Sequence, residues 1–338
     1  MRTLVLSIVF FTSISYGFSQ LIYTESEIQK TALLVKNIPK AAQHNTASLV
    51  IEINKIGKTE LIKTIAIYEW ITHAISYDTK ALMKNDIQAR SADEVIKSQT
   101  AVCSGYATVF KNLATGLGLE CELIEGYAKG YGYETGTIFE EPDHAWNKVK
   151  INGVWYLIDA TWGAGSVSED ASGKLIFNAE PNMDWFLLDP LVAIYSHFPV
   201  ESKNQLIETP LTKVLFEKLP NLNPIYFSSG FLNSTETMAV YKKSSTFLPP
   251  KLYNLNIPLK ITEAPKTNKL SKKDSLHFEI QSSEIKKLYL TIDDVVLGEF
   301  KKTGDVFTYH GAPFKSGLLE IIADLQVEER LVLLEYNP

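Results

Sequence analysis

The sequence predicts an α+β fold in which a cysteine-bearing helix packs on an antiparallel sheet, followed by a smaller all-β, sandwich-like domain. Three observations predict it. Two apolar stripes of helical period lie between residues 67 and 117, an Asn-Gly dipeptide joins two alternating runs, and short alternating segments fill the chain from about Ile225 onward.

The chain opens with Met1-Arg2, the apolar run LVLSIVFF from Leu4 to Phe11, and small residues at alternate positions up to Ser19. This is the pattern of a secretory signal over residues 1–19, cleaved after Ser19 or, alternatively, after Gly17. A run this short cannot cross a bilayer core of ~30 Å, which needs about 20 apolar residues. Export to a periplasmic or secreted location is expected, and no later segment is long enough for an integral membrane span. At 338 residues the chain has room for two domains. Its 33 Lys+Arg against 39 Asp+Glu leave no basic excess for a phosphate backbone, so nucleic acid is not an expected partner. Two cysteines make neither a disulfide scaffold nor a four-thiolate zinc centre.

Residues 20–59 read as a helical N-terminal extension, including a weak helical pattern from Ala41 to Ile56. Ile67, Trp70, Ile71, Ala74 and Ile75 recur at the spacing of an amphipathic helix ending near Tyr77-Asp78. A second helix is expected from Cys103 to Leu117, with Tyr106, Val109, Phe110, Leu113 and Ala114 on its apolar face and Gly116 and Gly118 at its stop. Strand-like runs follow at Cys121 to Tyr127, Ala145 to Ile151 and Val154 to Ala160. The last two are joined by Asn152-Gly153, because a tight hairpin turn needs positive φ at both positions. The proline-rich stretch 181–224 reads as a connector with a short helix from Thr209-Pro210 to Leu219. Residues 60–222 thus form a first domain with its connector. Residues 223–338 form the sandwich-like one, with strand patterns at His277 to Ile280, Leu288 to Ile292, Leu318 to Ile322 and Leu331 to Tyr336.

The hairpin permits a geometric deduction. If Asn152 and Gly153 are the turn, His144 and Asp159 share one face as diagonal neighbours, about 7–8 Å apart at Cα, a gap that an imidazole and a carboxylate close. Ala145, Val149, Ile151, Val154, Tyr156, Ile158 and Ala160 form the opposite, core face. Cys103 begins its helix, where unpaired N–H groups and the helix dipole favour a thiolate. A disulfide to Cys121 is the rival. The intervening helix, about 20 Å long, separates the two beyond the ~7 Å between Cα atoms that a disulfide allows. Cys121 is then a small core residue.

VCSGYATVFKNLATGLGLECELIEGYAKG, followed by DHAWNKVKINGVWYLIDATWGAG, resembles the transglutaminase-like superfamily of papain-like thiol enzymes, in particular the bacterial branch related to kyphoscoliosis peptidase and cytokinesis-associated proteins. YEWITHAISYD and YSHFP match the surroundings of that pattern. The resemblance spans about residues 60–200. It implies a papain-like transglutaminase core and a catalytic triad of Cys103, His144 and Asp159. In that scheme Cys103 attacks an amide carbonyl of a protein or peptide substrate, His144 moves the proton and Asp159 orients the ring. The Cys103 N–H supplies one oxyanion donor, with Gln99 and Tyr77 as candidates for the second. Trp146, Trp162 and His197 are candidate walls of the substrate groove, although a lone His in a Pro-containing loop more often serves structure. No cofactor and no metal is expected, because no His pair stands at ligand spacing. His44, His73, His277 and His310 stand alone in the sequence. The leading expectation is an exported cysteine peptidase, amidase or acyltransferase working through a thioester. The alternative is a catalytically inactive transglutaminase-like fold that serves as a binding or scaffold protein at the cell envelope.

Overall fold

A computed structural model describes residues 23–84, 88–134, 136–243, 247–270, 275–313, 316–325 and 330–337; the expected signal at 1–19 lies outside the described residues. Among the described residues, no helix is long and apolar enough to cross a membrane.

Three helices come first: α1 (Glu25–Lys36), α2 (Thr46–Ile56) and α3 (Glu60–Ala74), each opened by a side chain that accepts a first-turn N–H, from Thr24, Asn45 and Thr59. The amphipathic stripe expected in α3 is only part of its apolar surface. Every residue from Thr64 to Thr72 is buried, because α1, α2 and the cysteine helix enclose α3 on several sides. A two-residue strand β1 (Ser76–Tyr77) leads to α4 (Thr79–Lys84) and α5 (Ala92–Ser98). Strand β2 (Thr100–Ala101) pairs parallel with β1 immediately before α6 (Cys103–Gly116). The apolar face of α6, with Tyr106, Val109, Phe110 and Leu113 fully buried, lies on the sheet. Each of these large side chains contributes roughly 1.5–3 kcal/mol on leaving water.

That sheet contains β3 (Cys121–Ala128), β4 (His144–Ile151) and β5 (Val154–Ile158). After the hairpin β6 (Gly165–Glu169) and β7 (Leu175–Ala179) and the one-turn helix α7 (Pro190–Ala193), β8 (His197–Pro199) completes it. The order is β5-β4-β3-β8, antiparallel throughout. Both sheet faces are covered near the β4–β5 hairpin: Val149, Ile151, Tyr156 and Ile158 face the helices, while Ile124, Trp146 and Leu157 pack with Trp185 and Leu188.

The connector contains α8 (Lys213–Lys218), capped by Thr212 rather than by the expected Thr209. The buried Gln205 amide explains the difference: it accepts the Leu211 N–H at 2.7 Å and donates to the Leu211 carbonyl at 2.9 Å, so the backbone stays non-helical until Thr212. Two further helices, α9 (Ile225–Ser228) and α10 (Ser234–Lys243), occupy a stretch expected to be β-rich. Met238 and Tyr241 anchor α10 in the core. Strands β9 (Lys251–Leu252), β10 (Lys260–Glu263), β11 (Ser275–Gln281), β12 (Ile285–Ile292), β13 (Val295–Glu299), β14 (Lys301–Thr303), β15 (Val306–Pro313), β16 (Leu319–Leu325) and β17 (Arg330–Tyr336) then form two sheets. Their orders are β10-β11-β15-β14 and β13-β12-β16-β17-β9. The two sheets bury one core between them, and it continues without a break through Ile194, Tyr195, Phe198 and Phe216 of the preceding segment.

Candidate functional site

The site lies at the open end of the four-stranded sheet, and the hairpin turn sets its register. Asn152 and Gly153 both have positive φ, 49° and 83°, and the ladder runs from Ile151↔Val154 to Asn147↔Ile158. His144 at the start of β4 and Asp159 just past β5 therefore reach each other, with Nε2 and Oδ2 2.8 Å apart. Strand β8 brings a third side chain to the same end. Ala128 pairs with His197, whose Nε2 lies 3.1 Å from the same Asp159 oxygen. Gly126 makes this closure possible, since a Cβ there would meet the Phe198 carbonyl oxygen at 2.3 Å and the Trp146 ring at 2.5 Å.

Asp159 is held on every side. Its N–H donates to the Trp185 carbonyl, and Oδ1 accepts the N–H groups of Thr161 and Trp162 at 2.8 and 3.1 Å, so Oδ2 is left to the two imidazoles. His197 Nδ1 lies 2.8 Å from Ser196 Oγ, and because the Asp159 carboxylate can only accept, the ring carries its proton on Nε2. Trp162 packs on both histidines, with ring centroids 5.3 Å from His144 and 4.4 Å from His197.

Burial alone would keep Asp159 neutral, but the charge and hydrogen bond of His144 and the hydrogen bond of His197 outweigh it. They hold its carboxyl well below the usual carboxylate range. Burial also opposes a charge on His144. The Asp159 carboxylate overcomes it, a side-chain hydrogen bond with Cys103 adds a smaller push in the same direction, and the imidazole is raised to about 10. In His197 burial wins and the ring stays neutral. The buried cluster thus carries one charge of each sign, with the second imidazole as a neutral donor.

This arrangement overturns the expected thiol enzyme. Among the described residues, the titratable side chains that converge are His144, Asp159 and His197, with their ligand-type atoms within 4.8 Å of one another, and neither cysteine belongs to the group. The group that closes on itself is His-Asp-His rather than the expected Cys-His-Asp catalytic triad, with Cys103 touching it only at His144, and the description as a cysteine peptidase, amidase or acyltransferase falls with it. Cys103 is half-buried at the first position of α6 and free. Cys121 is free and buried at the start of β3, where burial pushes its thiol up to about 12. The spacing of the three side chains would accept a divalent ion. Each imidazole Nε2, however, carries a proton that it donates to the carboxylate, so these facing atoms already satisfy one another.

The remaining expected residues fall in different places. Gln99 is exposed, caps α5 in a left-handed conformation with φ 52°, and accepts the Ser76 N–H. Tyr77 lines a cavity of about 730 Å³ beside His144, with Trp162, Asp143, Asn182 and Trp185. Burial and the nearby Cys103 raise the Tyr77 hydroxyl far above its ordinary range. Trp146 and His197 are buried behind His144 and do not line that cavity. The role of His197 was not visible in the sequence. The YSHFP segment was the available signal, and only the β3–β8 pairing shows what it contacts.

Comparison with known proteins agrees with this architecture. Residues 47–160 match the model of the transglutaminase-like superfamily. The chain is 37% identical to mouse kyphoscoliosis peptidase over 186 residues, 55% of this chain and 27% of that protein. It is 36% identical to the human protein of that name over 193 residues, 57% and 28%. Drosophila melanogaster hillarin is 26% identical over 223 residues, 62% and 26%. The chain thus spans about a quarter of the length of these curated relatives. With a cysteine helix packed on an antiparallel sheet and this match in hand, the chain carries a domain of the transglutaminase-like superfamily, with the papain-like thiol fold, related to the kyphoscoliosis peptidases.

Proposed function

We propose that the chain is a catalytically inactive transglutaminase-like fold that serves as a binding or scaffold protein at the cell envelope, holding a polypeptide partner in the cavity beside His144. The observation that carries this reading is the Asp159 carboxylate shared between two imidazoles, in a cluster whose mutually close ligand-type atoms include no cysteine sulfur. The cavity supports it: aromatic rings from Tyr77, Trp162 and Trp185, with a few polar groups from Asp143 and Asn182, suit the side chains and backbone of an extended segment. Export rests on the signal pattern at residues 1–19.

The test uses reduced, carboxymethylated casein as a polypeptide probe. Saturable binding that is lost in Trp162→Ala and retained in Cys103→Ala, with neither cleavage nor ammonia release, is the expected result. Time-dependent cleavage or ammonia release that disappears in Cys103→Ala would overturn the reading.

A further inference from the structure

Two histidines that stand alone in the sequence meet on the far domain. His277 of β11 and His310 of β15 are directly opposite in the antiparallel ladder, and both are exposed. Their Nδ1 atoms lie 2.6 Å apart, with the rings at 70° to one another. One Nδ1 donates and the other accepts, so the two Nδ1 atoms already face each other across the ladder. The backbone beneath is held in place because the alternating neighbours Leu276 and Phe278 are buried in the sandwich core. Glu263 and Glu279 pair across β10 and β11 on the same outward face as the histidines, which places negative charge beside the pair.

We propose that His277 and His310 form a bis-imidazole site for a divalent transition-metal ion of the copper(II) or nickel(II) class. Imidazole nitrogens bound at about 2.0–2.1 Å in adjacent positions of a square-planar centre stand roughly 2.9 Å apart, against ~3.3 Å in a tetrahedron. The observed 2.6 Å is closer to the square-planar value, and a shift of about 0.3 Å, within side-chain rotation, reaches it. Binding needs the donor ring to move its proton from Nδ1 to its own exposed Nε2, so that both Nδ1 lone pairs are free for the metal with no net proton release, and water fills the remaining positions. The cluster at His144 differs, because there both imidazoles are committed to Asp159.

The experiment titrates copper(II) into the untagged full-length chain and follows affinity by calorimetry and ligation by electron paramagnetic resonance. A 1:1 site with two-nitrogen hyperfine structure is expected. It should weaken at least tenfold in His277→Gln and in His310→Gln, with His44→Gln and His73→Gln as unchanged controls. Both substituted side chains are exposed, so circular dichroism should show an intact fold. Equal affinity in His277→Gln and wild type overturns the proposal, as does loss of the signal in His144→Gln instead. Neither outcome bears on casein binding at the cavity.

Discussion

His197 donates its Nε2–H to Asp159 at 3.1 Å, on the same carboxylate oxygen that holds His144 at 2.8 Å. One oxygen thereby ties β8 to the β4–β5 hairpin, and a buried charge pair is satisfied through a neutral neighbour.

Removing that carboxylate leaves a buried imidazolium without its counter-charge. Asp159→Ala should cost about 3–5 kcal/mol in urea unfolding, and the His144 titration should fall steeply in pH when followed by NMR. A loss below about 1 kcal/mol would show that the cluster does not hold the sheet end together.

The pH dependence has a defined sign. The folded His144 value, about 10, is above its unfolded value, so its contribution to stability is fully present below about 6.5 and is lost as pH rises through 10. Asp159 is depressed, so its contribution is present above about 3.9 and lost as pH falls. Buried Lys129, lowered to about 7 chiefly by burial, acts in the opposite sense and adds stability as pH rises from 7 toward its unfolded range. The informative measurement is the difference between wild type and His144→Gln. The stability gap should narrow between pH 7 and 10.5, and a constant gap would refute the His144 assignment.

The loop that carries Asp159 depends on Gly163. A Cβ there would lie 1.8 Å from the Tyr68 hydroxyl, which donates to the Asn182 carbonyl at 2.8 Å. Gly163→Ala should destabilise by about 1–3 kcal/mol, and adding Tyr68→Phe should recover part of the loss. Additive effects in a thermal-melt double-mutant cycle would show that the two groups do not meet.

Two other glycines separate conformational strain from crowding. At Gly153, φ is +83° and nothing lies near an added Cβ, so Gly153→Ala should cost about 1 kcal/mol. At Gly126 the added carbon would strike the β8 backbone, so Gly126→Ala should cost more and disturb the His197–Asp159 contact. Equal melting temperatures for the two variants would count against the close packing of β8.

The His144–Asp159 pair was legible because it follows from local chemistry: Asn152-Gly153 selects a two-residue turn, and the period-2 alternation of strands does the rest. The cysteine helix was legible for the same reason, from its 3.6-residue periodicity and glycine stop. The start of α8 was not, because the side chain that blocks an earlier start, Gln205, comes from outside the helix and is itself buried. Helices α9 and α10 were missed because weak patterns become helical when Met238 and Tyr241 find a core to enter.

By itself, then, the sequence determined the helices with strong periodicity, the hairpin register and the placement of His144 beside Asp159, all of which depend on neighbours within one element or one turn. Only the tertiary structure decided that His197 completes the cluster, that Cys103 meets it only at His144, that α3 is enclosed rather than half-exposed, and that His277 meets His310. Each of those depends on which strands pair or which helices pack across long separations, and no local rotation or turn preference encodes that choice.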